Sequence, residues 1–276
     1  SVHSFPTRRS SDLGVVHPGM LSVSIGTGGM AVAFLDRKYR DPKGKTIICN
    51  HALHGFWQFE GLQNGAAGVF RWFRDEIAEF EKYKAEKDGK DVYVELNRMI
   101  EAVPPGSSGL LCMPYFAAAA SPRWNLDARG MFVGLTFLHK KAHMARSCME
   151  GIALEQKDII RSIKENGIKL ETARIIGGAT KSEIWNQIQA DVYNMPTETL
   201  KVKDAGSLGA AMCGAVGVGF YKDIREAADD LAKTDKRYEP IPENVNVYEE
   251  LYGIYTDIYD SLDKKGVYER ISTMQK

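Results

Sequence analysis

Leu21-Ser-Val-Ser-Ile25, Gly26-Thr-Gly-Gly29 and Met30-Ala-Val-Ala-Phe-Leu35 form the stretch that decides the fold class. Leu21, Val23 and Ile25 alternate with serines, the period of a strand with one face in a core. Glycine-rich residues then reverse the chain and residues 30–35 resume extended character, which reads as a strand–turn–strand hairpin. Glycines in such a turn can aim successive backbone N–H groups into a concavity that suits phosphate oxygens, and Thr27 adds a hydroxyl donor. No Gly-Lys-Ser/Thr follows and no helix opens there, so the turn is not a Walker loop. Read alone, the segment is also accounted for as a plain tight turn.

Outward from the hairpin, strand and helix signals alternate. A turn at 41–45 leads into a β-rich 46–49. Over 65–83, Val69, Phe70, Phe73, Ile77 and Phe80 recur at helical spacing, and the lysine-rich 82–91 reads as a solvated loop. Residues 92–103 read as a helix ended by Pro104-Pro105-Gly106, and 110–115 as a short strand before an irregular loop to 129. The clearest helix covers 143–166, with Met144, Cys148, Ile152, Ile159, Ile160 and Ile163 on one face and Gly167 as its C-terminal cap. A strand at 173–176, the turn Gly177-Gly178-Ala179 and a helix capped by Ser182 follow. That turn gives a second place where bare backbone and a helix start can face a ligand, although it is also a plain strand–helix packing turn. A strand at 197–202 and a small-residue helix at 207–219 come next. Tyr248, Tyr252, Tyr255 and Tyr259 mark the core face of a terminal helix. Strands alternating with helices place the chain in the α/β class.

Composition narrows the function classes. The 276 residues carry 36 Lys and Arg against 36 Asp and Glu, so no basic excess points to nucleic acid or an anionic membrane surface. The long uncharged run at 205–221 is interrupted by five glycines and is too short for a membrane span. Four dispersed cysteines (Cys49, Cys112, Cys148, Cys213) form no CxxC pair and read as reduced thiols of a cytoplasmic protein. His51/His54 and His139/His143 lack a third ligand at convincing spacing, so no metal site is assigned to them. The glycines of 214–219 sit within or at the end of a helix and not between strand and helix, which removes a dinucleotide fingerprint and a dehydrogenase reading. Residues 1–13 lack apolar periodicity, and FPTRRSSDL resembles a translated sequencing-adapter fragment. They are read as a non-native scar, with the coherent domain at 14–276.

The motifs add up to a family. Gly130-Met-Phe-Val-Gly134-Leu135 followed by His143-Met-Ala-Arg-Ser147-Cys148-Met149-Glu150 resembles the C-terminal signature of the FGGY carbohydrate kinases, departing only at Cys148. Ser24 to Gly28 is similar to that family's phosphate hairpin. Gly177 to Ser182 is similar to its adenosine turn, and Ala205 to Ala211 to its downstream small-residue helix. Order and spacing agree over about 14–262, and members of the xylulokinase type are the most similar.

The resemblance implies an actin-like, ribonuclease H-like domain, a mixed sheet flanked by helices, as the C-terminal half of a two-domain sugar kinase whose N-terminal sugar-binding domain is missing. ATP and Mg²⁺ are the implied cofactors, and a ketopentose the implied substrate. Another ketose or polyol is the alternative within the family; a non-catalytic actin-like nucleotide-binding module is the alternative outside it. Gly26, Thr27 and Gly28 would meet the phosphates, Gly177, Gly178 and Ser182 the adenosine, and Ala67 and Arg71 the ribose and phosphates. The resemblance leaves a homodimer of the full-length enzyme open. The charged loop that relatives carry after Pro114-Tyr115 is replaced here by alanines. The family's catalytic aspartate would fall near Phe5, where none stands, and Asp12 is out of register, so no catalytic residue is assigned.

Overall fold

The computed structural model describes residues 14–275; the readings of residues 1–13 and of the base near Phe5 lie outside them. β1 (Gly19–Ile25) and β2 (Gly29–Leu35) form the expected antiparallel hairpin, with Leu21 opposite Ala33 and Ile25 opposite Gly29. β3 (Ile47–Asn50) and β4 (Trp57–Gln63) extend it antiparallel beyond β2. On the other side β7 (Leu170–Ile176) runs parallel to β1, followed by parallel β8 (Thr197–Leu200) and antiparallel β9 (Thr234–Tyr238). The result is a seven-stranded mixed sheet ordered β3-β4-β2-β1-β7-β8-β9. A separate pair, β5 (Leu111–Met113) and β6 (Met131–Val133), lies outside it.

Helices cover both faces. Leu21, Val23, Ile25, Ala31 and Phe59 meet α4 (Lys141–Glu165), α5 (Glu183–Tyr193) and α8 (Pro242–Lys264) in the larger core. Phe34 and Leu200 meet α6 (Ala205–Gly217) and α7 (Ile224–Leu231) in a smaller one. Each fully buried Leu, Ile or Phe contributes about 1.5–3 kcal/mol, so these two faces carry the fold. Two glycines set how close α4 comes. A Cβ on Gly61 would lie 2.1 Å from Ile159 Cγ2, and one on Gly151 would lie 2.1 Å from the Cys112 carbonyl oxygen. The tyrosine stripe of α8 is buried as expected, with Tyr248 hydrogen-bonded to Glu150 and Tyr252 to Asp158. α9 (Val267–Met274) closes the chain.

The region 65–91 differs from its sequence reading. Instead of one helix it forms α1 (Ala67–Trp72), a π turn (Phe73–Ile77) and α2 (Glu79–Lys87), with Ala78 outside helical geometry between them. The wide turn rotates everything after it, so Phe80 leaves the apolar stripe and stands 69% exposed. The lysine-rich run is helical to Lys87, because Lys82 reaches back to clasp Asp75 together with Arg74. Only 88–91 is loop, ending in Asp91, which caps α3 (Val92–Glu101). Strand 8 stops at Leu200 and α6 starts at Ala205, because Asp204 accepts the Ser207 N–H as its cap.

His51 is structural. Its Nδ1 accepts the Leu53 N–H, so Nε2 carries the proton that it donates to the Val15 carbonyl. Burial pushes the ring's pKa down to about 4. The folded state therefore disfavours the charged ring, and stability is lost as pH falls from the unfolded value near 6.5 towards 4. The full shift corresponds to about 3 kcal/mol. Urea melts at pH 7 and pH 4.5 should show a larger acid loss for the native chain than for His51→Gln, whose amide keeps a donor and an acceptor but does not titrate. Gly151→Ala should lower stability by about 1–3 kcal/mol, since the intruding methyl meets β5 backbone and not a side chain that can turn away; an unchanged melt would refute this packing role.

Candidate nucleotide-binding site

The two glycine motifs, far apart in sequence, become neighbours through one pairing. β1 and β7 are parallel with Ser24 beside Ile176, so both strands end at the same edge and release their turns there. Strand order diverges at this pair, with β2 on one side and β8 on the other. In open α/β sheets ligands bind beyond the carboxyl ends of the strands at such a point.

The turn 26–28 is fixed from below and open above. The Gly26 carbonyl accepts the Ala67 N–H at 2.9 Å, and the Thr27 carbonyl accepts the N–H groups of Ala66 at 3.0 Å and Gly68 at 3.2 Å. The first donors of α1 are thus engaged by the hairpin itself, which locks the turn to the helix. The Gly26 N–H bonds the Gly28 carbonyl at 2.9 Å. Thr27 and Gly28 are exposed, and among the described residues nothing bonds their N–H groups or the Thr27 hydroxyl. A Cβ on Gly28 would lie 2.9 Å from the Gln63 carbonyl oxygen, and one on Gly68 would lie 3.0 Å from the Thr27 carbonyl oxygen.

Beneath the hairpin lies a buried amide–carboxyl network. Gln63 donates to Glu155 and to the Ile152 carbonyl, and Gln156 donates to Gln63. A Cβ on Gly29 would lie 2.4 Å from Gln63 Oε1 and 2.5 Å from Gln156 Nε2. Burial raises the Glu155 carboxyl well above the usual carboxylate range.

The second turn abuts the first. Gly177 has φ +102°, a region that favours glycine, and a Cβ there would lie 2.1 Å from the Ile25 carbonyl oxygen. Gly178 faces open space on the exposed side. Ser182 is buried. It caps α5 by accepting the Trp185 N–H, and its hydroxyl donates to Asn97 of α3. Its side chain therefore ties the turn to α3, while the backbone of 177–178 remains the face a ligand can approach. Ala67 lies half-buried at the start of α1, and Arg71 projects one turn further, exposed and without a partner among the described residues. Sequence reading passed over Lys181, a second exposed cation at the end of the Gly178–Lys181 turn, and Asn97, which only tertiary structure brings to Ser182. Among the described residues no three His, Cys, Asp or Glu side chains cluster where a metal ion could sit.

The signature at 130–150 builds the scaffold behind this edge. Buried Glu150 accepts the Gly106 N–H and the Ser107 hydroxyl, pairs with Arg146 at 2.7 Å and meets the Tyr248 hydroxyl. Arg146 also donates to the Val103 carbonyl, so α4 holds both the 104–109 loop and α8.

A family model described as the FGGY family of carbohydrate kinases, C-terminal domain, matches residues 21–218, which include both glycine turns. The chain belongs to the FGGY family of carbohydrate kinases. It is 32% identical over 270 residues to a gluconokinase of Bacillus subtilis, covering 96% of this chain and 52% of that protein. Identity to a xylulose kinase of the same organism is 30% over 246 residues, covering 89% of this chain and 47% of the other. A ligand-bound xylulose kinase from Lactobacillus acidophilus superposes with a TM-score of 0.82 at 26% identity, over 93% of this chain and 50% of that one. The actin-like α/β domain anticipated from the motifs is therefore the fold of this FGGY member. The chain spans about half the length of the curated relatives it matches.

The glycines of the second turn separate fold from binding. Gly177→Ala should destabilise the chain by about 1–3 kcal/mol through backbone strain and the clash with β1. Gly178→Val should leave the melt unchanged yet weaken ADP binding about tenfold, ~1.4 kcal/mol. Calorimetric titration of a folded Gly178→Val chain with unchanged ADP affinity would remove Gly178 from the site.

Proposed function

We propose that this chain is the nucleotide-binding half of an ATP-dependent carbohydrate kinase. The observation that carries the proposal is the meeting of the Gly26–Gly28 and Gly177–Gly178 turns at the ends of parallel β1 and β7, with unpartnered N–H groups on one and open backbone on the other. In this reading ATP lies along that edge. Its adenosine rests against Gly177–Gly178, its phosphates face Thr27 and Gly28, and Arg71 reaches the phosphate chain. The Thr27 hydroxyl and the N–H groups of Thr27 and Gly28 stabilise charge on the transferring group, where fixed donors act without reorganising. Among the described residues none is assigned to Mg²⁺, which would arrive with the nucleotide and offset the negative charge of its phosphates.

The substrate is proposed as a polyhydroxylated small molecule phosphorylated on a hydroxyl, with a ketopentose such as xylulose first. Gluconate is the second reading, favoured by the 32% identity over 270 residues to a gluconokinase. The full-length kinase can be screened by ADP release against xylulose, ribulose, gluconate and glycerol. A kcat/KM advantage of at least tenfold, ~1.4 kcal/mol, assigns the substrate, and gluconate winning by that margin would overturn the pentulose choice. In the same assay Thr27→Ala should lower kcat on the order of 10² while nucleotide KM moves little. A change confined to KM would restrict Thr27 to ground-state binding.

A further inference from the structure

α4 carries a second charged feature on the side turned to α8 and the C-terminal end of α5. Lys157, Arg161 and Lys164, spaced i, i+4 and i+7, line one stripe of the helix. With Asn194, Glu249 and Tyr252 they line an open cavity of about 300 Å³. That is the space of about ten waters at ~30 Å³ each, more than a bare oxyanion needs. No residue of either glycine turn lines it.

The charges do not balance inside it. Three cations face one lining carboxylate, Glu249, which lies 2.8 Å from the Lys157 ammonium and is itself half exposed. The Lys157 side chain is only 10% exposed, and no other acceptor reaches its nitrogen among the described residues. The remaining carboxylates nearby are engaged elsewhere. Asp158 accepts from Arg123 and from the Tyr252 hydroxyl, and Glu165, which does not line the cavity, pairs with Arg161 at 2.9 Å. Lys164 has no partner among the described residues. Lys157 and Arg161 both stand over the Tyr252 ring, at 5.2 and 5.8 Å from its centroid. Burial, and to a lesser degree Lys164, depress the Lys157 pKa, and Glu249 opposes them. Asn194, in left-handed conformation at the end of α5, adds a side-chain amide with no partner among the described residues.

We propose that this cavity binds a phosphate dianion, carried by a small phosphomonoester, at a site separate from the nucleotide edge. Lys157, Arg161 and Lys164 supply charge-assisted donors, and Glu249 is the group the ligand displaces from Lys157. The rest of the volume holds the ester's carbon skeleton.

Ile160 lines the same cavity and is buried, so its methyl group is a local reporter. The full chain, labelled at isoleucine methyls, is titrated at constant ionic strength with glycerol phosphate, inorganic phosphate and chloride. The Ile160 signal should move saturably with both phosphates and not with chloride, and glycerol phosphate should bind at least threefold tighter. Equal affinities would overturn the ester and leave inorganic phosphate as ligand. Lys164→Glu, a change at an exposed position, should weaken binding at least tenfold. Glu249→Gln should strengthen it, an opposite sign that a purely structural role of these residues does not produce. A shift only at Ile25 beside the hairpin, or an Ile160 response indifferent to both variants, would overturn the proposal.

Discussion

The structure turns on the carbonyls of Gly26 and Thr27. By accepting the N–H groups of Ala66, Ala67 and Gly68 they cap α1 and fix the hairpin turn in one motion. A helix start is normally a ready anion site because its first N–H groups are free. Here those donors are taken, and the turn above presents fresh ones at Thr27 and Gly28. Everything else at the edge keeps that arrangement in place. Gln63, Gln156 and Glu155 support it from below, and Gly177 allows the second turn to lie against Ile25 without a side chain between them.

Further from the edge, α4 unifies the domain. Its sheet-facing residues Ile152 and Ile159 fill the larger core, and Gly151 lets it approach β5 closely. Glu150 and Arg146 bind the loop at 104–109 and α8 into one buried network. The burial of this pair is tolerable because both partners are also satisfied by backbone groups and hydroxyls; losing either would strand the other. The family signature at 130–150 therefore describes a scaffold more than a contact surface.

Much of this was legible in the sequence, and the losses have physical causes. The hairpin, the long helix and both glycine turns were readable because their apolar periods and glycine positions are local properties. β4 was not read as a strand, because Trp57–Gln63 buries the polar Gln58, Glu60 and Gln63, Gln58 bonded to Glu60 and Gln63 to α4, so no apolar alternation marks it. β9 escaped because Thr-Asp-Lys-Arg-Tyr is a polar edge strand whose only neighbour in the sheet, among the described residues, is β8. The helix at 65–83 was read as continuous because a π turn preserves composition while changing phase. At the site, Gly26, Thr27, Gly28, Ala67, Gly177 and Gly178 are brought to one edge, with Arg71 a turn away. Ser182 serves the turn through Asn97, a partner 85 residues distant that no spacing rule identifies.

Amide hydrogen exchange tests the central claim most directly, namely that the two turns form one nucleotide cradle. Ala66, Ala67 and Gly68 are already bonded to the hairpin and should exchange slowly with or without ligand. Thr27 and Gly28 should exchange quickly in the free chain and become protected on addition of ATP, together with the backbone of 177–178. Protection by ATP that leaves Thr27 and Gly28 unchanged would contradict the account.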